Sequence, residues 1–443
     1  MCVADAVGAP DAMQAPDSAP GSSPMHALDS ALAPALADAE RRHLRRARRS
    51  VERFPEPADR AERAHEAGIR SAEVIVEGRR LVNFCGNDYL GLSRHPDVVA
   101  ALRDAAGDWG VGSGASHLVT GHGLEHERLE AALAAFVGRE RALLFSTGYM
   151  ANLAVITALT GRRDGIASPN GAGRRDRVLL DRLSHASLID AALLSGARLQ
   201  RYPHADAAAA ARLLRGGGRA AQTGSTTLIA TDGVFSMDGD VAPLAELAEA
   251  AAEQGAWLIV DDAHGLGVLG ATGRGTLEHL GLSSERVPGL VGTLGKAFGT
   301  FGAFVAGSAT FIETLIQRAR SYAYTTALPH ALAAATRVAV EVAQREAWRR
   351  ERVLGLTQRF RQAAAARGLP LLASPTPIQP IVLGSAEAAL AASRRLWEAG
   401  FWVAAIRPPT VPAHTARLRV TLSAAHTETQ VDALVEALSR ACV

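Results

Sequence analysis

The chain has 443 residues, 48% of them hydrophobic and 21% charged, and its 47 basic and 45 acidic side chains leave a formal net charge of +2. That length allows two or three domains with cores of their own, and the composition excludes a disordered or membrane-spanning chain. The balanced charge makes no case for a nucleic-acid or membrane partner. Cys2, Cys85 and Cys442 are too scattered for a disulfide framework or a paired-cysteine metal site, so a reducing cytoplasm is expected.

Residues 1–27 are mostly Ala, Pro, Asp, Gly and Ser. They cannot bury enough surface to offset the entropy of ordering, which predicts a disordered tail without the basic and apolar blocks of a leader. Residues 28–89 read as a helix followed by strands. Helical periodicity runs from Leu28 to Arg49 and ends in the basic run from Arg41 to Arg49, a solvated face. Strands are expected over Glu73–Glu77 and Arg80–Phe84 about a turn at Gly78. Asn87-Asp-Tyr-Leu-Gly-Leu92 then leads into a helix over Pro96–Ala106, and the glycines of Gly110–Ser116 predict a close-packed turn.

From residue 90 to 347 helical stretches alternate with short apolar runs: Ala142–Phe145, Arg177–Leu180, Thr227–Ala230, Trp257–Val260, Leu290–Gly292 and Ala303–Ala306. The alternation predicts an α/β domain, a mostly parallel sheet wrapped by helices, with ligands outside the carboxyl ends of the strands. The stretches Gly161–Arg174 and Gly216–Ser225 read as surface connections. Residues 348–443 read as helix, strand, helix, strand, helix, a smaller α+β domain.

Lys296 is the only lysine among the 47 basic residues. Arginine replaces lysine on a wet surface but not where an amine must lose its proton and act as a nucleophile. The string Gly292-Thr-Leu-Gly-Lys-Ala297 lacks the spacing and the Ser or Thr of a nucleotide-binding P-loop, and Gly265-Leu-Gly-Val-Leu-Gly270 lacks the helix that a dinucleotide fingerprint requires. Asp261 ends a buried strand, where a carboxylate needs a charged partner. With His264 three residues on, it suits either the nitrogen and phenolic oxygen of a cationic pyridine ring or a capped turn beside a structural histidine. Phe145-Ser-Thr-Gly148-Tyr149 opens a helix after a strand, a seat for a phosphate. His185 follows another strand and suits either ring stacking or a helix start. No further cluster has metal-ligand spacing. Together these strand ends supply the parts needed to hold pyridoxal 5'-phosphate.

Several long segments in the same order resemble the α-oxoamine synthases, fold-type-I enzymes that use this cofactor. They are Asn87–Leu92, Gly112–Glu127, Val234–Asp240, Val260–Gly265 and Gly292–Gly299. The pieces Ser116–Gly121, Tyr324–Pro329 and Ala405–Pro412 are similar to the biotin-pathway branch, with His330 and His414 standing where that branch commonly has Pro and Gly. The resemblance implies a large cofactor-binding domain and a smaller C-terminal one. It implies decarboxylative condensation of L-alanine with a pimeloyl thioester of coenzyme A or acyl carrier protein. A glycine-using ligase of the same family is the alternative. By the same resemblance Lys296 joins the cofactor and moves the Cα proton, Asp261 faces the ring nitrogen, and His185 stacks. His264 and Ser236 meet the phenolic oxygen. Gly148, Tyr149 and Thr293 take the phosphate, with Thr326 of a second copy, which implies a homodimer. Asn87, Arg419 and Arg45 are its candidates for binding substrate carboxylates; Arg419 also fits an exposed strand arginine.

Overall fold

The computed structural model describes residues 24–52, 71–160, 176–217 and 225–442. Most of the expected tail, and the connections at 161–174 and 216–225 apart from their edges, lie outside the described residues. The chain divides into two units between Arg48 and Arg49.

Among the described residues, the first unit holds one helix, Pro24–Arg41. It starts on a proline, whose missing N–H is not needed in a first turn. It stops eight residues short of the expected end. Asp38 already pairs with both Arg41 and Arg42, and Arg45 reaches back to Glu40 at 3.1 Å. His43 turns the backbone to a φ of 55°.

In the second unit, β1 (Val51–Glu52), β2 (Glu73–Val76) and β3 (Arg79–Asn83) pair antiparallel. The β2–β3 turn is Glu77-Gly78, both at positive φ, the two-residue geometry that matches strand twist. The central sheet holds β4 (Arg141–Phe145), β5 (Arg177–Asp181), β6 (Arg198–Tyr202), β7 (Thr227–Asp232), β8 (Trp257–Asp261), β9 (Gly289–Thr293) and β10 (Ala303–Gly307). Their order is β4-β10-β9-β8-β7-β5-β6, parallel except for β10, which runs antiparallel to both neighbours. All six expected runs are strands. The additional one, β6, has the sequence Arg-Leu-Gln-Arg-Tyr and sits at an edge, where charged side chains discourage pairing with another chain.

Both faces of this sheet are covered. Along β4, Ala142 and Leu144 join a cluster with Leu129, Phe298 and Val340, while Leu143 and Phe145 join a second with Val155, Leu188 and Ile312. This alternation is the two-residue period of a strand buried on both sides, which is why the sequence reads as continuous apolar runs.

Near the C-terminus, β11 (Ile378–Gly384) and β14 (Ala416–Thr421) pair antiparallel, with β13 (Ala404–Ile406) on the far side of β14. The helices Trp348–Ala366, Ala386–Glu398 and Glu428–Ala441 accompany them. The short strand β12 (Phe401–Trp402) leaves this group and pairs parallel with β3, and Phe84 packs in one cluster with Phe360, Leu418 and Leu434. The residues just before the Asn87 motif are thereby anchored to the C-terminal region.

The segment Gly110–Ser116 differs from expectation. A Cβ on Gly112 or Gly114 would meet nothing within 4 Å, and Val111 is 90% exposed. The loop is open, and Gly114 is required by its φ of 70°. The close approach comes at Gly121, where a Cβ would lie 2.1 Å from the carbonyl oxygen of Ala115.

Candidate active site

The paired register of β7 and β8 places Asp232 opposite Asp261 at their carboxyl ends. Asp261 is buried, and its oxygens accept from the side-chain amide of Asn152 at 2.6 Å and the backbone N–H of Ala263 at 3.1 Å. Burial and the neighbouring Asp261 push the Asp232 carboxyl up, so that it holds a proton near neutral pH. Asp262 points elsewhere: it accepts the N–H of Thr276, which starts the helix Thr276–His279.

His185 caps the helix Ala186–Ser195. Its backbone N–H donates to Asp232, and its Nδ1 lies 2.7 Å from Ser187 Oγ, which also accepts from Asn152. The ring is exposed, as a stacking platform must be. His185 and Lys296 interact electrostatically with each other and with Asp261, so the structure gathers them at one place.

Lys296 lies just past β9, half-buried, with its Nζ 2.8 Å from His264 Nε2. Burial and the Arg419 guanidinium lower the amine; Asp261 and Asp232 oppose them, and the net result is a pKa of about 8. The amine is therefore partly neutral at physiological pH, which a surface lysine is not. His264 is held far below its usual value by burial and by the nearby cations Lys296 and Arg419. It is a neutral imidazole, and its Nδ1 lies 2.6 Å from the hydroxyl of Tyr89.

Asn87 and Arg419 also come together. Both terminal nitrogens of Arg419 donate to Asn87 Oδ1, at 3.3 and 3.2 Å, and its Nε donates to the carbonyl of Ser236. Arg419 is buried rather than an exposed strand arginine. Ser236 thus contributes its backbone carbonyl to the Arg419 clamp. Thr293 Oγ1 donates to the Gly302 carbonyl and accepts from the Gly295 N–H at 3.4 Å. Gly148 and Tyr149 begin the helix Gly148–Leu159 behind the cap Thr147, and Tyr149 donates to Asp190. Thr326 is exposed. Arg45 belongs to the other unit, paired with Glu40.

These residues fit pyridoxal 5'-phosphate. A Cβ on Gly148 would meet nothing within 4 Å, so the free N–H groups of that helix start open onto space. The buried carboxylate of Asp261 suits a cationic ring nitrogen, and a poised amine stands close by.

Tyr89, Asn152 and Asp232 were missed as site residues. Tyr89 lies inside the Asn87–Leu92 motif, Asn152 three residues past the Phe145–Tyr149 motif, and Asp232 two residues past the expected Thr227–Ala230 run, which the structure extends to it. A second histidine group, His117, His122 and His126, has ligand atoms within 4.8 Å of one another. However, both nitrogens of His126 are committed to backbone, Nδ1 accepting from Gly123 N–H and Nε2 donating to the Leu328 carbonyl. That leaves no free lone pair for a metal.

Residues 79–438 match the family model "Aminotransferase class I and II". The chain is 60% identical to the 8-amino-7-oxononanoate synthase of Thioalkalivibrio sulfidiphilus over 84% of its own length and 91% of that protein's. It is 59% identical to the enzyme of the same name from Methylococcus capsulatus, over 84% and 92%. Among solved structures it is similar to serine palmitoyltransferase from S. paucimobilis, with TM-score 0.78 and 29% identity over 86% of this chain and 95% of that one. It is also similar to 8-amino-7-oxononanoate synthase from Francisella tularensis, with TM-score 0.69 and 32% identity over 81% and 97%. Agreement of this extent with both sets places the chain in the α-oxoamine synthase family of pyridoxal-phosphate enzymes, on the fold-type-I architecture, in the 8-amino-7-oxononanoate synthase branch.

Proposed function

We propose that the chain condenses L-alanine with a pimeloyl thioester, releasing CO₂ and the thiol carrier and forming 8-amino-7-oxononanoate for biotin biosynthesis, with the residues above in the following roles. Lys296, Asp261, His185 and His264 hold the pyridoxal ring, and the backbone of Gly148 and Tyr149 with the Thr293 hydroxyl holds the phosphate. Bound there, the cofactor supplies an electrophilic carbon and a ring that withdraws electrons from the substrate Cα.

Lys296 removes the Cα proton; its lowered pKa suits an amine that must accept a proton at neutral pH. Asp261 keeps the ring nitrogen cationic, and Asn152 and Ala263 fix the direction of its carboxylate. His185 limits ring motion on one face. His264 offers a neutral N–H toward the ring's phenolic oxygen, with Ser236 beside it. Arg419, held by Asn87, is the proposed receptor for a substrate carboxylate, which would take over N–H groups that the guanidinium now gives to Asn87 Oδ1. Thr326 reaches the phosphate of the other chain in a homodimer, and coenzyme A and acyl carrier protein are both open as the acyl carrier.

The observation that carries this reading is that the chain's only lysine stands 2.8 Å from His264 beside Asp261. The test offers alanine, glycine or serine with pimeloyl or acetyl thioesters and follows thiol release. Alanine with a pimeloyl thioester should react fastest; preference for glycine with acetyl thioester would overturn the assignment in favour of a glycine-using ligase.

A further inference from the structure

Tyr89 is 1% exposed and lies in the segment between β3 and the helix Pro96–Trp109. Burial raises its phenol to about 12, outweighing the nearby Arg419, so it keeps its proton. The hydroxyl has that single proton and two neighbours that could accept it: His264 Nδ1 at 2.6 Å and Asn87 Oδ1 at 3.4 Å. Asn87 Oδ1 already accepts from both terminal nitrogens of Arg419, which fills its two lone pairs. The nearby Arg419 guanidinium offers only N–H groups and cannot take the phenolic proton. The proton is left with one good destination.

We propose that Tyr89 is a positioning residue whose hydroxyl donates to Nδ1 of His264, fixing that ring with its only N–H on Nε2, aimed at the Lys296 amine. The chain of hydrogen bonds runs from Tyr89 through His264 to Lys296. An N–H presented at 2.8 Å favours an uncharged amine, which has a lone pair to accept it, over an ammonium, which has none. The opposite tautomer would present a lone pair and favour the ammonium. The same N–H remains available to a phenolate oxygen once the amine moves away. The other groups around Lys296 are Asp261, Asp232, Arg419 and His185; Asn87 and Arg419 face Tyr89. None of them donates to His264 Nδ1, so the tautomer rests on the phenol.

The inference rests on Lys296 being the working amine, as proposed above, yet its test needs neither cofactor nor substrate. Failure here leaves that reading standing, and failure of the thioester assay leaves this measurement intact. Because the chain has one lysine, protein grown on [ε-¹³C]lysine gives one side-chain resonance. Cofactor-free wild type should titrate near the value of about 8 given by its surroundings. In folded Tyr89→Phe the midpoint should rise by about one pH unit, a tenfold change in the neutral fraction, because the ring can then turn its lone pair to the amine. A purely structural role would lower the melting temperature without moving this midpoint, and an unmoved midpoint overturns the proposal. If Tyr89→Phe does not fold, ¹⁵N-histidine spectra of the wild type decide: an unprotonated Nδ1 on His264 supports it, and a protonated Nδ1 overturns it.

Discussion

Lys296 shows how far one residue type can carry an assignment. With arginine at every other basic position, retention of an amine here has a chemical reason, and the structure supplies the surroundings: burial and Arg419 that lower it, and His264 within 2.8 Å. Lys296→Ala should fold with an unchanged melting curve and lose turnover by at least ~10³-fold with every thioester, since a positioned acid–base group alone contributes about 10²–10⁴-fold. Stopped-flow thiol release measures this. Lys296→Arg should be equally inactive, because guanidinium does not give up its proton. His414 is a smaller case. It stands where the resembling branch commonly has glycine and adopts a φ of 63°, a region that histidine enters more readily than bulky residues do.

Among the elements, the loops after β6, β7 and β9 are tied down in different ways. His204 lies between Asp181 at the end of β5 and Asp240 in the loop after β7, at 3.1 and 3.0 Å. Its burial disfavours the charge, but the two carboxylates outweigh it and raise the imidazole to about 10. A pKa raised on folding stabilises fully below the ordinary value of about 6.5, and that stability is lost as pH rises through about 10. His204→Gln should therefore cost about 1–3 kcal/mol at pH 7, the range of a charge-assisted hydrogen bond, and little above pH 10. Denaturant melts at both pH values check it. Gly299 closes the turn after Lys296 through its N–H to the Lys296 carbonyl, at a φ of 67°, and a Cβ there would fall 2.2 Å from the Ser93 nitrogen. Gly299→Ala should destabilise by about 1–3 kcal/mol and lower pyridoxal phosphate occupancy, since the Lys296 loop must shift. Absorbance of the bound cofactor, read beside the melt, separates the two effects.

The proposed sharing of Thr326 between two chains requires an open surface around that residue. Val111, Val119 and Tyr324 are 90%, 75% and 75% exposed, and Thr326 stands two residues beyond that tyrosine. If Thr326 serves the other chain's phosphate, Lys296→Ala and Thr326→Glu proteins, each inactive, should regain activity when refolded together. Random pairing gives about a quarter of the wild-type rate, from hybrids with one intact site. If Thr326 served its own chain, both sites of every hybrid would be damaged and the mixture would stay inactive. Among the described residues, no helix is long and apolar enough to cross a membrane.

Where the outcome depends on local chemistry, the sequence was sufficient. Apolar runs buried on both faces read as strands, and Asp261 read as the end of a buried strand, because hydrophobic period is a property of a few neighbouring residues; the reactive role of Lys296 is a proposal that its chemistry suggests. The helix from Pro24 ends at Arg41, just before His43 turns the backbone to a φ of 55°, a local turn that periodicity does not register. The edge strand β6 was hidden by its polar side chains, which suit an edge but carry no apolar signal. What only the tertiary structure decided is partnership across the chain. Tyr89 meets His264 over 175 residues of sequence, Asn152 meets Asp261 over 109, and Arg419 meets Asn87 over 332. Such pairs join separate elements: Arg419 stands on β14, Asp261 on β8, Asn152 on a helix, and Asn87 and Tyr89 in the segment after β3. A hydrogen bond depends on where two atoms end up, and a residue's own neighbours in sequence hold no record of that distance.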